Sequence, residues 1–464
     1  MQDSATDSSS ALSQPEIARV SAADITRPEL FRAWRLVIAL ALTAMASFTD
    51  RFVLNVLVAP VQGDLGLTDA QFGLLIGPAF ALATVIAALP CGRAADVFPR
   101  KPILLGALIL WSLGSFGCAF ATTFGMFAVA RVFVGLGEAA IVPLGYSLIG
   151  DLLPPHHRGR ALSVVTAGVM LGSSAGYILG GALLDIASSG AWRNWPLLGT
   201  LAPWRAVIVA VTLPNVLLAG FIAFLPEPER GRWETAKTST RWPVVRDALR
   251  ADAPVLALLY LTPSLVAVAD YALYSWGPAM AMRRFNLGAA EAGTLVGSLA
   301  LLATITATLC AGALGDRLIA RGRAHALPLL GALASLLLVV VAVALTTHHR
   351  VFFFGAFNAG GFATIAAETI AIIILQNRLS SATRGVGTAL MSLLVSTLGL
   401  GLGPLLPPTL APLFGTDPST IVPGVCITSG LAGALALILF LRLGTQLRSE
   451  FASTPPPSRS IATR

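Results

Sequence analysis

Twelve stretches of this chain are apolar over lengths that suit a bilayer crossing, which takes about 20 residues as a helix. They fall at 34–62, 68–95, 102–122, 124–150, 159–186 and 204–225, then at 253–282, 288–319, 325–346, 351–376, 385–414 and 420–442. In hydrocarbon the backbone must satisfy its own hydrogen bonds, so such segments fold as helices. Charged residues make up 12% of the 464, about half the ~25% of a soluble domain. Too few polar side chains are left to coat a globule. The expectation is an all-α integral membrane protein with twelve transmembrane helices.

The longest polar connection, 226–252, divides these helices six plus six and is expected to be a cytoplasmic linker between bundles 31–225 and 253–447. Residues 1–30 lack an apolar core, so they are not expected to act as a signal peptide. Like 448–464, they are expected to form a disordered cytoplasmic tail.

The net charge of +8 comes from 29 Arg and two Lys, Lys101 and Lys237. These lie scattered over short loops rather than in a patch, which argues against nucleic acid. Basic residues favour the cytoplasmic side. Placing both termini there leaves 24 of the 31 in tails and cytoplasmic loops, five outside (Arg193, Arg205, Arg283, Arg284, Arg350) and two within the membrane, Arg51 and Arg131. A multi-pass protein of the inner membrane is expected. The four cysteines have no metal spacing, no GxxxxGK[ST] loop is present for an ATP motor, and the five histidines read as loop residues. Enzyme chemistry is disfavoured, and neither metal nor cofactor is expected.

The two halves repeat each other. Asp50 answers to Asp270 at an offset of 220, and GRAADVFPRK (Gly92, Asp96, Arg100, Lys101) answers to GALGDRLIARGR (Gly312, Asp316, Arg317) at the same offset. Arg158-Gly159 and Arg384-Gly385 match at 226, and Glu138 and Glu368 at 230. Four matches in order indicate duplicated halves of like orientation, related by an axis along the membrane normal.

The glycine, acid and basic run after the second helix, echoed after the eighth, resembles the signature of the major facilitator superfamily. Within it, DRFVLNVLVAPVQGDLGLTDAQFGLLIGPAFAL, ARVFVGLGEAAIVP and YSLIGDLLPPHHRGRALS resemble the Spinster-like branch, which includes sphingosine-phosphate and lysophospholipid transporters. The resemblance implies two pseudo-symmetric six-helix bundles rocking about a central cavity, often driven by a proton gradient. It also implies that Gly92, Asp96, Arg100 and Lys101, with Gly312, Asp316 and Arg317 as a looser copy, latch the cytoplasmic side.

The ionisable residues inside the membrane are few: Asp50, Arg51, Arg131, Glu138, Asp270 and Glu368. Such groups face the protein interior or water, pair with one another and mark pathways. Asp50 and Arg51 are adjacent, so on a helix they point apart and each needs a partner elsewhere. Arg131 and Glu138 are two turns apart on one helix face, with Gly135 and Gly137 between them allowing close approach. Arg131 is expected to pair with Asp50 or Glu138, leaving Arg51 the other carboxylate. Exchange of partners in such a network is a proton-coupling element. Phe48, Phe52, Asp270, Tyr271, Tyr274, Trp276 and Glu368 are candidates to line the substrate cavity, ordinary helix packing being the alternative for the aromatics.

Amides in the helices are sparse, which disfavours a sugar site, because buried hydroxyls left unpaired cost affinity. Two arginines in an apolar, Phe-rich interior suit an amphiphile with an anionic head. The expected function is a secondary active transporter, proton-coupled and monomeric, moving a lysophospholipid or sphingosine-phosphate-like anion by alternating access. A small organic-anion carrier, multidrug efflux and a lipid-binding sensor are the alternatives.

Overall fold

A computed structural model of the chain describes residues 26–230 and 242–453. Twelve helices are long and apolar enough to span a membrane: α1 (Arg27–Val53), α2 (Asp69–Val97), α3 (Arg100–Phe120), α4 (Phe124–Leu152), α5 (Pro155–Ser188), α6 (Pro203–Ala223), α7 (Ala253–Phe285), α8 (Ala289–Ala320), α9 (Ala324–Ala344), α10 (Arg350–Arg378), α11 (Thr383–Leu400) and α12 (Pro418–Glu450). Large apolar side chains stand exposed on their outer faces, among them Leu217 at 76% and Val343 at 69%. Water would penalise such a surface, whereas lipid chains do not. The protein is an integral, multi-pass membrane protein.

The pairings show the duplication. In the first half α1 packs on α5 and α6, α3 on α4 and α6, and α2 on α4; adding six to each number gives the pairings of the second half. The halves meet along α5–α8 and, related by the same symmetry, α2–α11.

Within the first half, α5 carries Gly168, Gly172, Gly176 and Gly180 at four-residue spacing, a ridge one residue wide. It lies directly on the backbone of α1. A Cβ at Gly172 would stand 2.2 Å from the Met45 carbonyl, and one at Gly168 2.3 Å from that of Ala41. Any larger residue at either position forces the two helices apart.

Several ends differ from those read from hydropathy. The first span was expected over 34–62, but α1 begins at Arg27 and stops at Val53, and Val58–Leu65 forms a separate short helix. Residues 27–30, assigned to the tail, are thus helical. The eleventh span was expected to reach 414. Instead α11 winds into a π-helical turn, Ser396–Leu400, and breaks where Gly399, Gly401, Gly403 and Pro404 crowd together. The linker contains a helix, Trp242–Ala251. Residues 1–25, 231–241 and 454–464, which hold most of both expected tails and part of the linker, lie outside the described residues. His156 and His157 sit in the first turn of α5, not in a loop.

Candidate functional site

Near its end α1 presents Asp50 and Arg51 to different neighbours. Arg51 turns to α4, where its Nη2 lies 2.7 Å from Glu138 Oε2. Ser47 Oγ donates to the same oxygen at 2.7 Å. The guanidinium stacks on the rings of Phe48 and Phe80, 4.7 and 4.6 Å from their centroids, a favourable arrangement for a cation away from bulk water. Glu138 is nearly wholly buried, at 1% side-chain exposure against 15% for Arg51, and its Oε1 has no partner. Asp50 turns instead to α3, accepting from Trp111 Nε1 at 3.0 Å and Ser115 Oγ at 2.8 Å.

Arg131 pairs with neither carboxylate, contrary to the expected exchange between it and Asp50 or Glu138. Its Nε donates to the Leu75 carbonyl at 3.4 Å, its guanidinium lies 4.7 Å from the Phe80 centroid, and its Nη2 is unpartnered. Two causes combine. Neutral donors already serve Asp50, and α2 breaks at Gly77-Pro78, just past the Leu75 carbonyl that Arg131 reaches. Gly135 and Gly137 do allow close approach: a Cβ on Gly137 would be 2.6 Å from backbone atoms of α3, and one on Gly135 2.7 Å from the α2 carbonyl of Phe80.

Arg51, Glu138, Ser47 and Phe48 form part of the wall of a cavity of about 420 Å3. The rest of that wall is mostly apolar, from Leu40 and Ala44 of α1, Ile141 and Val142 of α4 and Val165 and Val169 of α5. Tyr271 of α7 and Ser396 and Leu400 of α11 close it from the second half. From Arg51 the cavity runs toward the side where α1 begins and α4 ends.

On the opposite side the halves are sealed together. The Tyr177 hydroxyl of α5 donates to the Tyr274 carbonyl of α7 at 2.8 Å, and Asn55 Nδ2 donates to that hydroxyl at 3.4 Å. Pro278 lacks the N–H that would otherwise occupy the Tyr274 carbonyl four residues back. Farther out, Trp276 Nε1 donates to the Pro404 carbonyl at 2.9 Å and its ring meets Phe72 edge-on. Outermost, Arg283 grips Asp69 with both Nη atoms at 2.6 and 2.7 Å, and also Gln62 Oε1 at 3.1 Å. On the same side Arg205 and Trp204 donate to Asp64 and hold its carboxyl below the usual range.

A cavity walled by both halves, which are bonded to each other on one side of it, suits a membrane carrier. Residues 40–404 match the model of the Major Facilitator Superfamily. The chain belongs to the Major Facilitator Superfamily. Members of the superfamily are transporters, and relatives of this one include an MFS-type efflux pump of Mycolicibacterium smegmatis, 28% identical over 62% of this chain and 64% of that protein. The sphingosine-1-phosphate transporter SPNS2 of Xenopus tropicalis is 30% identical over 50% of this chain and 42% of its own. Rat protein spinster homolog 1 is 29% identical over 53% and 46%. The chain thus matches about two fifths to two thirds of these relatives' lengths. Among solved structures, a bacterial homologue of the human lysosomal transporter Spinster, inward-facing and unoccupied, superposes with a TM-score of 0.77 at 24% identity, covering 93% of this chain and 100% of that one.

The superfamily's signature loop stays within its own half. Arg100 binds Asp151 and Glu227, and Lys101 donates to the carbonyls of Ala223 and Leu225 at 2.7 and 2.6 Å. The backbone carbonyl of Asp96 accepts from Arg230 just beyond α6. In the second half Asp316 and Arg317 are exposed, and a Cβ at either Gly92 or Gly312 would meet nothing within 4 Å. No bond from these residues bridges the halves among the described residues.

Of the residues expected to line the cavity, Phe48 and Tyr271 do so. Phe52 packs against Tyr177 at 5.2 Å, Tyr274 against Phe357 at 5.4 Å, and Trp276 is fully buried in the seal. Asp270 accepts from Thr364 Oγ1 at 2.6 Å, with Glu368 one turn farther along α10. Ser47, Phe80, Trp111, Ser115 and Tyr177 escaped the sequence reading. For Trp111 the signal is general, since a buried indole N–H seeks an acceptor.

Asp69→Asn should loosen the seal, because Arg283 loses the carboxylate charge and one of the two oxygens it grips. A partly exposed pair is worth up to ~1 kcal/mol, about a fivefold shift in population. Spin-label distances between Ser189→Cys and Gly288→Cys, at the ends of α5 and α8, would read the widened fraction.

Proposed function

We propose that the protein is a proton-coupled secondary active transporter of amphiphilic anions, of the lysophospholipid or sphingosine-phosphate kind. The observation that carries this reading is one cation, Arg51, held by one buried acid in a mostly apolar cavity wall. Arg51 cannot serve Glu138 and an anionic headgroup equally well at once. A proton arriving at the unpartnered Glu138 Oε1 neutralises the acid and frees the guanidinium for phosphate, which its fork of donors suits. The apolar wall takes the chain. Departure of the proton restores the ion pair and expels the headgroup, so proton and cargo are linked through one side chain.

With both termini in the cytoplasm, as the arginine distribution favours, the cavity opens inward. Asp69 and Arg283 then seal the outer face, and the protein works as a monomer of the inner membrane. The signature loops latch the inner side only in the opposite state.

Proteoliposomes loaded with a labelled lysophospholipid test the reading. Glu138→Gln should bind cargo but lose about tenfold or more of the stimulation by a pH gradient, the loss of one charge-assisted bond of ~1.5 kcal/mol or more. Full pH-driven transport by Glu138→Gln would remove Glu138 from the mechanism. Multidrug efflux is the second reading, favoured by the mycobacterial relative. It requires that cationic drugs raise the melting temperature in a screen where lysolipids do not.

A further inference from the structure

One residue beside the Arg51 site has no packing reason to be a glycine. Gly145 lies inside the stretch Ile141–Leu152 of α4, and glycine in a helix interior weakens it relative to alanine. At Gly135 and Gly137 of the same helix a neighbouring backbone occupies the room that a Cβ would need. At Gly145 none does: a Cβ there would meet only Leu40 Cδ2, at 3.8 Å, an ordinary contact. Yet Gly145 is buried and lines the same cavity as Arg51 and Glu138. The room left by its missing side chain is part of that cavity.

Here the cavity has the section of a groove. Leu40 and Ala44 of α1, exposed by only 2 and 4%, form its floor with Gly145, while Val142 and Tyr146 of α4 stand half-exposed beside it. Thr166 of α5 adds to the wall near the level of Leu40, since Gly168 of that helix lies on Ala41. The polar end carries an unmet bond: Glu138, 4% exposed, lines the cavity with an Oε1 that has no partner. Gly145 lies seven residues beyond Glu138, about 10 Å along α4. One membrane-lipid chain reaches ~15 Å, half of the ~30 Å hydrocarbon core. The Tyr177 seal closes the other direction. An anion held by its head at Arg51 therefore runs its chain past Gly145 if the chain is of ordinary membrane length, and stops before it if the chain is short.

We infer that Gly145 sets which chain lengths the protein prefers, by leaving the groove deep enough for the distal part of one unbranched alkyl chain. This rests on the amphiphilic-anion reading above and adds that the chain is measured as well as the head.

Monoalkyl phosphates of six to sixteen carbons test the inference, titrated into the full-length wild type and Gly145→Leu in detergent. The melting temperature gives a binding midpoint for each chain, and the ratio of variant to wild type cancels the chain's own partition into micelles. Each methylene kept from burial costs about fourfold in affinity. The ratio should stay near one for the shortest chains and reach about tenfold or more for the longest, where two or more methylenes are displaced. Thr166→Phe, which narrows the groove from α5, should show the same dependence on length and decides the matter if Gly145→Leu does not fold. Without ligand, Gly145→Ala should melt no lower than wild type, since its Cβ has room. A lower melting temperature for Gly145→Ala would mean that packing requires the glycine, and would overturn the proposal. So would a ratio that is the same at every chain length. A wild type that responds to no alkyl phosphate and to no lysophospholipid would instead remove the amphiphilic-anion reading, and this inference with it.

Discussion

Replacing Arg51 with alanine is expected to weaken binding of an anionic amphiphile by about 10- to 100-fold, the equivalent of charge-assisted hydrogen bonds worth ~1.5–3 kcal/mol. The same change strands Glu138, whose side chain is 1% exposed. Breaking a buried pair from one side costs about 3–5 kcal/mol, so the melting temperature should fall as well. The double variant Arg51→Ala/Glu138→Gln separates the two effects. It removes the stranded charge and should recover most of the stability while recovering none of the binding. Thermal denaturation with and without lysophospholipid reads both. Binding that returns in the double variant would take Arg51 out of the cargo site.

Gly293→Val should have the second large effect. A Cβ at Gly293 of α8 would stand 2.3 Å from the Tyr177 carbonyl of α5, and backbone cannot move aside as a side chain can. Overpacking of a tight contact costs about 1–3 kcal/mol, here borne only by the state in which α5 and α8 touch. The equilibrium between cavity states should therefore shift by about 5- to 150-fold, at RT ≈ 0.59 kcal/mol, toward the one sealed on the other side. Transport stops while the protein still folds. Spin labels at Ser189→Cys and Gly288→Cys should report one long distance in place of a short one, and an unchanged distance with unchanged transport would refute the seam as a gate.

The twelve helices and their six-plus-six arrangement were legible because hydropathy reports burial in lipid directly. Where it misled, it did so through backbone geometry. The run LNVLVAPV is as apolar as a helix interior, yet the chain turns after Val53, with Asn55, Val56 and Leu57 each bonding three residues back. Asn55 and Pro60 hinted at the break, and apolar flanks hid it. At α11 the glycines and prolines beyond Leu400 were visible, but the apolar leucines among them carried the span too far.

The charged residues of the site could be picked out from the sequence, since intramembrane acids and arginines are rare. Their partners could not. Charge counting gives Arg131 a carboxylate mate, Asp50 or Glu138, because it has no way to rank an indole N–H and a serine hydroxyl. Trp111 and Ser115 took that place, and Arg131 was left to a carbonyl and an aromatic face. Nor could spacing foresee that one ring, Phe80, would support both arginines.

The bond from Tyr177 to the carbonyl opposite Pro278 also bears on how the sealed side comes apart. Within α7 no amide can claim that carbonyl when Tyr177 leaves. A polar group deserted in dry surroundings costs ~1–3 kcal/mol, which only water arriving at the same moment relieves. Parting of the halves there must accordingly proceed by wetting. The apolar rings of Phe52 and Trp276 around the seam are expected to slow that hydration, so entry of solvent between α5 and α7 should be one of the slow steps in opening the seal.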